Sequence, residues 1–227
     1  MKQIVLVATL CVLVASVNGN NPSYSGISCG IGIRTLSVQS LNEALKNEGL
    51  AELSPVAVSI NFAPTFWNEH FVFNYKIHYF SSSTKKDTDM TMFSGWGASM
   101  DFGFPILKKD KMSLFPYFSL SYMMPRLKTQ QTTNANSFGT VYSQPLKERT
   151  FYNNGELDTA LGLAYRVVLG KRKSYMLEVG GGYNFSLLRS KWRYIENKID
   201  FPKIDCRGWV IGITWAGNIR QKSTNSN

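Results

Sequence analysis

The stretch from Leu157 to Leu169 is two interleaved sequences. Leu157, Thr159, Leu161, Leu163, Tyr165, Val167 and Leu169 alternate with Asp158, Ala160, Gly162, Ala164, Arg166 and Val168. Successive side chains of an extended strand point to opposite faces, so this stretch has one greasy face and one of mostly small or charged groups. The stretch from Tyr175 to Leu187 repeats the pattern, with Leu177, Val179, Tyr183 and Phe185 opposite Glu178, Gly180, Gly182 and Asn184. Gly170-Lys171-Arg172-Lys173 between them is a tight polar turn, and the two stretches read as a hairpin. Five further segments alternate in the same way, centred on Ile60, Tyr75, Met100, Phe118 and Ile213, and a weaker one runs from Gly30 to Val38.

About eight strands result. A soluble sandwich also alternates, but its polar face carries long hydrated side chains. Here that face is dominated by Gly, Ala and Ser, which suits a narrow interior. Beyond the first residues no run approaches the roughly 18 apolar residues of a spanning helix. A membrane-embedded form must therefore close on itself, because an open sheet leaves backbone groups unpaired in lipid. The connections support closure. Short ones fall at 64–70, 105–111 and 170–173, and long ones at 39–54, 81–89, 125–154 and 195–207. With both termini at one end, every short turn lies at that end and every long loop at the other. The expectation is an all-β fold: a single antiparallel up-and-down transmembrane β-barrel. The alternative is a secreted, soluble lipocalin-like barrel that binds a hydrophobic ligand.

The chain opens as a secretory signal: Met1-Lys2-Gln3 is basic, Ile4 to Val17 is apolar, and cleavage is expected after Gly19. Cys11 lacks the small preceding residue that lipid attachment wants. The chain divides into a signal peptide (1–19), a barrel (20–217) and a polar C-terminal tail (218–227), with the last strand ending near Trp215.

Strands such as GELDTALGLAYRVVL and SYMLEVGGGYNFSLL, with the loop asymmetry, give the mature chain a pattern that resembles the small OmpA/OmpX-type bacterial outer-membrane barrels. The resemblance implies location in the bacterial outer membrane and assembly by the barrel-assembly machinery.

The expected lumen holds Arg34, Lys76, His78, Asp101, Asp158, Arg166 and Glu178. Charges of both signs in a narrow barrel must pair, since isolated burial is costly. Counting across the turn at 170–173 puts Arg166 opposite residue 177 or 178, so Arg166 and Glu178 form a cross-strand pair. Such pairs fill a barrel of this size and leave no open pore. Tyr79, Tyr122, Tyr175, Trp192, Tyr194, Trp209 and Trp215 lie near strand ends as candidates for interfacial girdles. Residues 40–49 read as a short helix in the first long loop, with Ser40 and Glu43 as a capping box and Gly49 as the stop. It is expected to lid the barrel mouth. Cys29 is placed at the start of the first strand and Cys206 at the far end of the last, about 30 Å apart at ~3.3 Å per residue, too far for a disulfide.

The formal charge of +10 does not indicate nucleic acid, because the chain is exported and carries no recognisable nucleic-acid module. Basic residues at the outer rim can instead meet lipopolysaccharide phosphates. No catalytic, cofactor-binding or metal-ligand pattern is visible. The two histidines, His70 and His78, have no nucleophile or carboxylate in a recognisable arrangement. Gly180 to Gly182 lie within a strand, which excludes a phosphate loop. The expected role is non-enzymatic: envelope-structural, or interaction with a surface partner through the long loops. The rival is an outer-membrane lipid-modifying enzyme.

Overall fold

The computed structural model describes residues 23–68, 70–87, 89–109, 111–131, 147–169, 175–195, 197–198, 201–202, 204 and 206–222. The signal segment 1–19, the turn 170–173 and residues 132–146 lie outside the described residues. Twelve strands and one helix are described: β1 (Ser23–Thr35), α1 (Gln39–Asn47), β2 (Val56–Trp67), β3 (Val72–Lys86), β4 (Asp89–Gly103), β5 (Leu107–Lys109), β6 (Met112–Gln131), β7 (Lys147–Asn153), β8 (Glu156–Leu169), β9 (Tyr175–Arg189), β10 (Trp192–Tyr194), β11 (Asn197–Lys198) and β12 (Gly208–Lys222).

Eight of these strands form a ring. The order is β1, β2, β3, β4, β6, β8, β9, β12, and β12 pairs back onto β1. Every pairing is antiparallel, so all edges of the ring are satisfied. The start of β1 and the end of β12 meet at one rim, called lower here: Ser23 aligns with Lys222. The connections β2–β3, β4–β6 and β8–β9 also lie at the lower rim, and α1, β7, β10 and β11 lie at the upper rim.

The strands run longer than the sequence pattern indicates. β1 begins at Ser23 rather than near Gly30, with a register shift between Ser25 and Ile27. The expected loop at 81–89 is a ladder that continues to Lys86 opposite Asp89 and turns at Asp87, where φ is 52°. β12 continues past Trp215 to Lys222, so the first part of the expected tail is paired strand. These extensions are polar, and polar residues in a paired edge above or below an apolar band look like loop in a hydropathy reading.

On its edge away from β4, β6 is shared between two partners. Met112 to Met123 pair with β8, whereas Arg126 to Gln131 pair with β7. β10 then adds to β7, and β11 to β10, so a small side sheet rises from the upper rim. The switch is made at Asn153-Asn154-Gly155, where Gly155 has φ 144° and its N–H donates to Asn153 Oδ1.

The outward face of the ring is apolar. Ile31 is 63% exposed, Ile60 53%, and Ile213, Leu161 and Trp96 are similarly bare. Among the described residues no charged side chain points outward between the aromatic levels at Trp215 and Trp209, or between Leu114 and Met124. At roughly 3.3 Å per residue and a tilt of about 40°, the latter span gives a band ~25 Å tall.

The inward face has three layers. Trp67, Val72, Phe115, Ala164, Met176 and Ala216 form an apolar cluster at the lower end. A polar layer follows. Above it, Leu36, Val38, Leu53, Phe80, Phe93, Met123, Leu127 and Trp192 pack together with α1.

Candidate functional site

Charged side chains of both signs converge in the interior polar layer and its two seals. In the lower seal, Arg166 is 1% exposed. Its Nη2 lies 2.5 Å from Glu178 Oε2 and its Nε donates to the same oxygen at 3.1 Å. Its guanidinium lies between two rings, 4.9 Å from the centroid of Trp67 and 5.0 Å from that of Phe115. A buried charge of this kind persists only with a close counter-ion and further contacts, and the rings supply those. Residue 166 faces residue 178 directly in the β8–β9 register.

In the polar layer, Lys76 Nζ lies 2.6 Å from Asp101 Oδ2. The Thr65 hydroxyl donates to Asn74 Oδ1. A cavity of about 80 Å³ lies among Asn61, Asn74, Lys76, Asp101, Tyr117 and Glu178. It has room for a few waters at most. The wall is thin at this level because glycines face inward. A Cβ at Gly162 would stand 2.5 Å from the Tyr117 ring, and one at Gly97 2.5 Å from His78 Nε2. Tyr117 and His78 thus occupy space that larger wall residues at 162 and 97 would take.

The upper seal is built from α1. Leu41 and Leu45 are buried beneath it, and each contributes about 1.5–3 kcal/mol by leaving water. The helix runs Gln39–Asn47 and its N-cap is Val38, with no side-chain cap bond. The expected capping box of Ser40 and Glu43 is therefore absent: the N-cap falls two residues before Ser40, and Val38 and Leu41 both bury into the mouth. Closure comes instead from Asn42. Its Nδ2 donates to Leu53 O at 2.9 Å, and Leu53 N–H donates to its Oδ1 at 2.8 Å. Gly49, with φ 71°, ends the helical segment.

The other sequence-expected residues fall as follows. Arg34 points inward but has no ion-pair partner among the described residues. It lies over Phe80 at 5.1 Å, and Nη1 approaches Met123 Sδ at 2.9 Å. Asp158 is buried and accepts from Asn184 Nδ2 at 3.1 Å. It lies with Glu156 and Cys206 in a buried trio whose donor atoms are within 4.8 Å of one another. Glu156 accepts from Asn153 Nδ2 at 3.0 Å. No ligand cluster is visible in the sequence, yet two carboxylates and a thiol meet here, because the segment before β12 folds down against the start of β8. Cys29 and Cys206 form no disulfide. Cys29 is not at the lower end of β1 but midway along it, opposite Phe62 and Trp215, on the exposed wall. His70 is exposed in the lower-rim turn, and His78 faces inward.

The aromatics separate by level. Tyr79 packs on Trp96, and Trp209 meets Tyr183 edge-on, towards the upper rim. Tyr122 lies at this level and donates to Asn154 O at 2.6 Å. Tyr175 stacks on Trp215 at the lower rim, where Phe66, Phe71, Phe73, Phe102 and Phe104 form a further ring cluster. Trp192 is not part of either level. It is buried in the upper seal against Phe93 and Phe201, because β10 belongs to the side sheet rather than to the ring. Tyr194 packs on Phe151 of the same side sheet.

No family model matches the chain, and no curated protein matches it. Among solved structures, it is similar to the attachment invasion locus protein Ail of Yersinia pestis, solved with the heparin analogue sucrose octasulfate. The identity is 12%, the TM-score 0.45, and the match covers 86% of this chain and 98% of that one. Neisserial surface protein A is 10% identical with a TM-score of 0.46, over 86% of this chain and 96% of that one. The outer membrane protein AlkL, solved in lipid bilayers, is 11% identical with a TM-score of 0.34, over 93% and 95%.

Proposed function

We propose that this chain is a bacterial outer-membrane barrel with an envelope-structural or surface-interaction role, exported by a signal segment at residues 1–19 and inserted by the barrel-assembly machinery. The observation that carries the reading is the uncharged outward band. Soluble proteins rarely expose a contiguous apolar patch beyond a few hundred Å². Here the band encircles the molecule at the height of a bilayer core, with aromatic residues at both borders. The helical route across a membrane is not offered by the described residues.

A non-enzymatic role is favoured by the sealed interior. Lys76–Asp101 lies between two apolar clusters, and Arg166–Glu178 is embedded in the lower one, with Arg166 and Glu178 both buried. The elements left accessible are α1 and the side sheet of β7, β10 and β11, all at the rim opposite the start of β1 and the end of β12. These are display elements on a rigid ring, an arrangement suited to contacts with a surface partner and with outer-leaflet lipid.

The variant I60C in a C29S background supplies the test, because residue 60 lies on the exposed wall at the middle of the band, level with Ile31 and Ile213. In liposomes, a charged, water-soluble maleimide leaves the introduced thiol unmodified in the native protein, and modifies it after heating in SDS. Rapid modification of the native protein would show that water, not lipid, covers the wall.

A further inference from the structure

The wall is interrupted where β6 exchanges β8 for β7. Between Met123, opposite Glu156, and Arg126, opposite Tyr152, the outward side of β6 opens into a groove of about 470 Å³. Its lower part is formed by Tyr79, Trp96 and Met124, and its upper part by Arg126, Tyr152 and Arg193. Trp96 and Met124 are more than half exposed. The groove therefore straddles the border between the apolar band and the polar rim.

The two arginines occupy matched positions. Arg126 on β6 and Arg193 on β10 both align with Tyr152 on the intervening β7. Three neighbouring strands thus carry Arg, Tyr and Arg side by side. Among the described residues neither guanidinium is in an ion pair; Glu148, further along β7, pairs with Lys128 at 3.0 Å. Two like charges flanking Tyr152 on either side of β7, both lining one groove, repel less when an anion lies between them, and guanidinium matches phosphate by paired N–H donors.

We infer that this groove binds a phosphorylated lipid of the surrounding leaflet, with a phosphate held between Arg126 and Arg193 and an acyl chain laid over Trp96 and Met124. The inference rests on the membrane placement proposed above. Its charge and its grease are arranged in the order a lipid presents them: chain below, headgroup above. A soluble anion would use only the upper half of the groove, and a purely apolar ligand only the lower half.

The test uses the folded full-length mature protein in neutral detergent, with lipid retention read by native mass spectrometry. The probes are a bisphosphorylated lipid A and the same lipid after phosphatase treatment. The phosphorylated form is retained at least about tenfold more tightly, as expected for two charge-assisted contacts. Added salt weakens that preference, and millimolar inorganic phosphate does not abolish retention. The double variant R126Q/R193Q loses the preference while keeping its heat-dependent gel shift, and W96A weakens retention of both lipid forms. If the double variant fails to fold, the salt series on the unaltered protein decides. Equal retention of both lipid forms, a preference insensitive to salt, or full displacement by inorganic phosphate would overturn the inference. Maleimide modification of the I60C variant reports on membrane placement independently, so failure of the groove and failure of the barrel's location are distinguished.

Discussion

At the scale of single residues, the lower seal depends on one charge pair in an aromatic socket. Removing the Glu178 carboxylate leaves the Arg166 guanidinium buried with no close anion. E178Q is expected to lower barrel stability by about 3–5 kcal/mol, read as a lower urea midpoint for loss of the compact gel form. Replacing both members with apolar residues, as in R166M/E178L, restores much of that loss, because Trp67 and Phe115 then enclose a thioether instead of a charge. Gly162 is the wall position under the Tyr117 ring, where a Cβ would also stand 2.4 Å from Gly181 O. G162A is therefore expected to destabilise by more than its small volume implies, about 1–3 kcal/mol in the same assay. The register that sets residue 178 against residue 166 is legible in the sequence because the two strands are joined by a short turn. The Glu156, Asp158 and Cys206 trio is not, because Cys206 reaches it from another part of the chain.

At the scale of elements, alternation shows which stretches become strands but not where they stop. The apolar band sets the pattern, and the polar continuations of β3, β4, β6 and β12 carry no hydropathy signal of their own. Their pairing is inherited from the ladder below. The helix illustrates the opposite failure. Ser40 and Glu43 have the spacing of a cap, but burial of Val38 and Leu41 in the mouth outweighs a cap bond of about 1 kcal/mol. Tertiary closure of α1 instead runs through Asn42. N42A removes two hydrogen bonds to the Leu53 backbone and is expected to cost about 1–3 kcal/mol. L41A opens a cavity under the lid and costs about 2–5 kcal/mol. Both losses fall on the upper seal, so faster amide exchange across residues 36–53, with the ring strands still protected, is the expected signature. Uniform exchange across the ring would contradict a separable lid.

At the scale of the whole molecule, the ring is an eight-stranded wall packed solid at both ends. Planar-bilayer recordings are expected to show no stable single-channel steps, because the chamber in the polar layer is only about 80 Å³ and apolar side chains pack below and above it. Sustained unitary currents would refute this. The band itself is tested at its middle. I60R places a charge on the outward face and is expected to cost about 2–4 kcal/mol in a bilayer. The closed topology is readable from strand number and loop asymmetry. The side sheet is not, since Trp192 and Tyr194 look like rim aromatics until β10 is seen to pair with β7.

Sharing of β6 between two neighbours has a practical corollary. The bonds from β6 to β8 that close the cylinder end at Met123, those to the projecting flap begin at Arg126, and β4 stays paired with β6 up to Gln131. Sequence grafted between residues 131 and 147 is therefore expected to loosen the flap and the top of the β4–β6 ladder, while the β6–β8 seam below stays zipped.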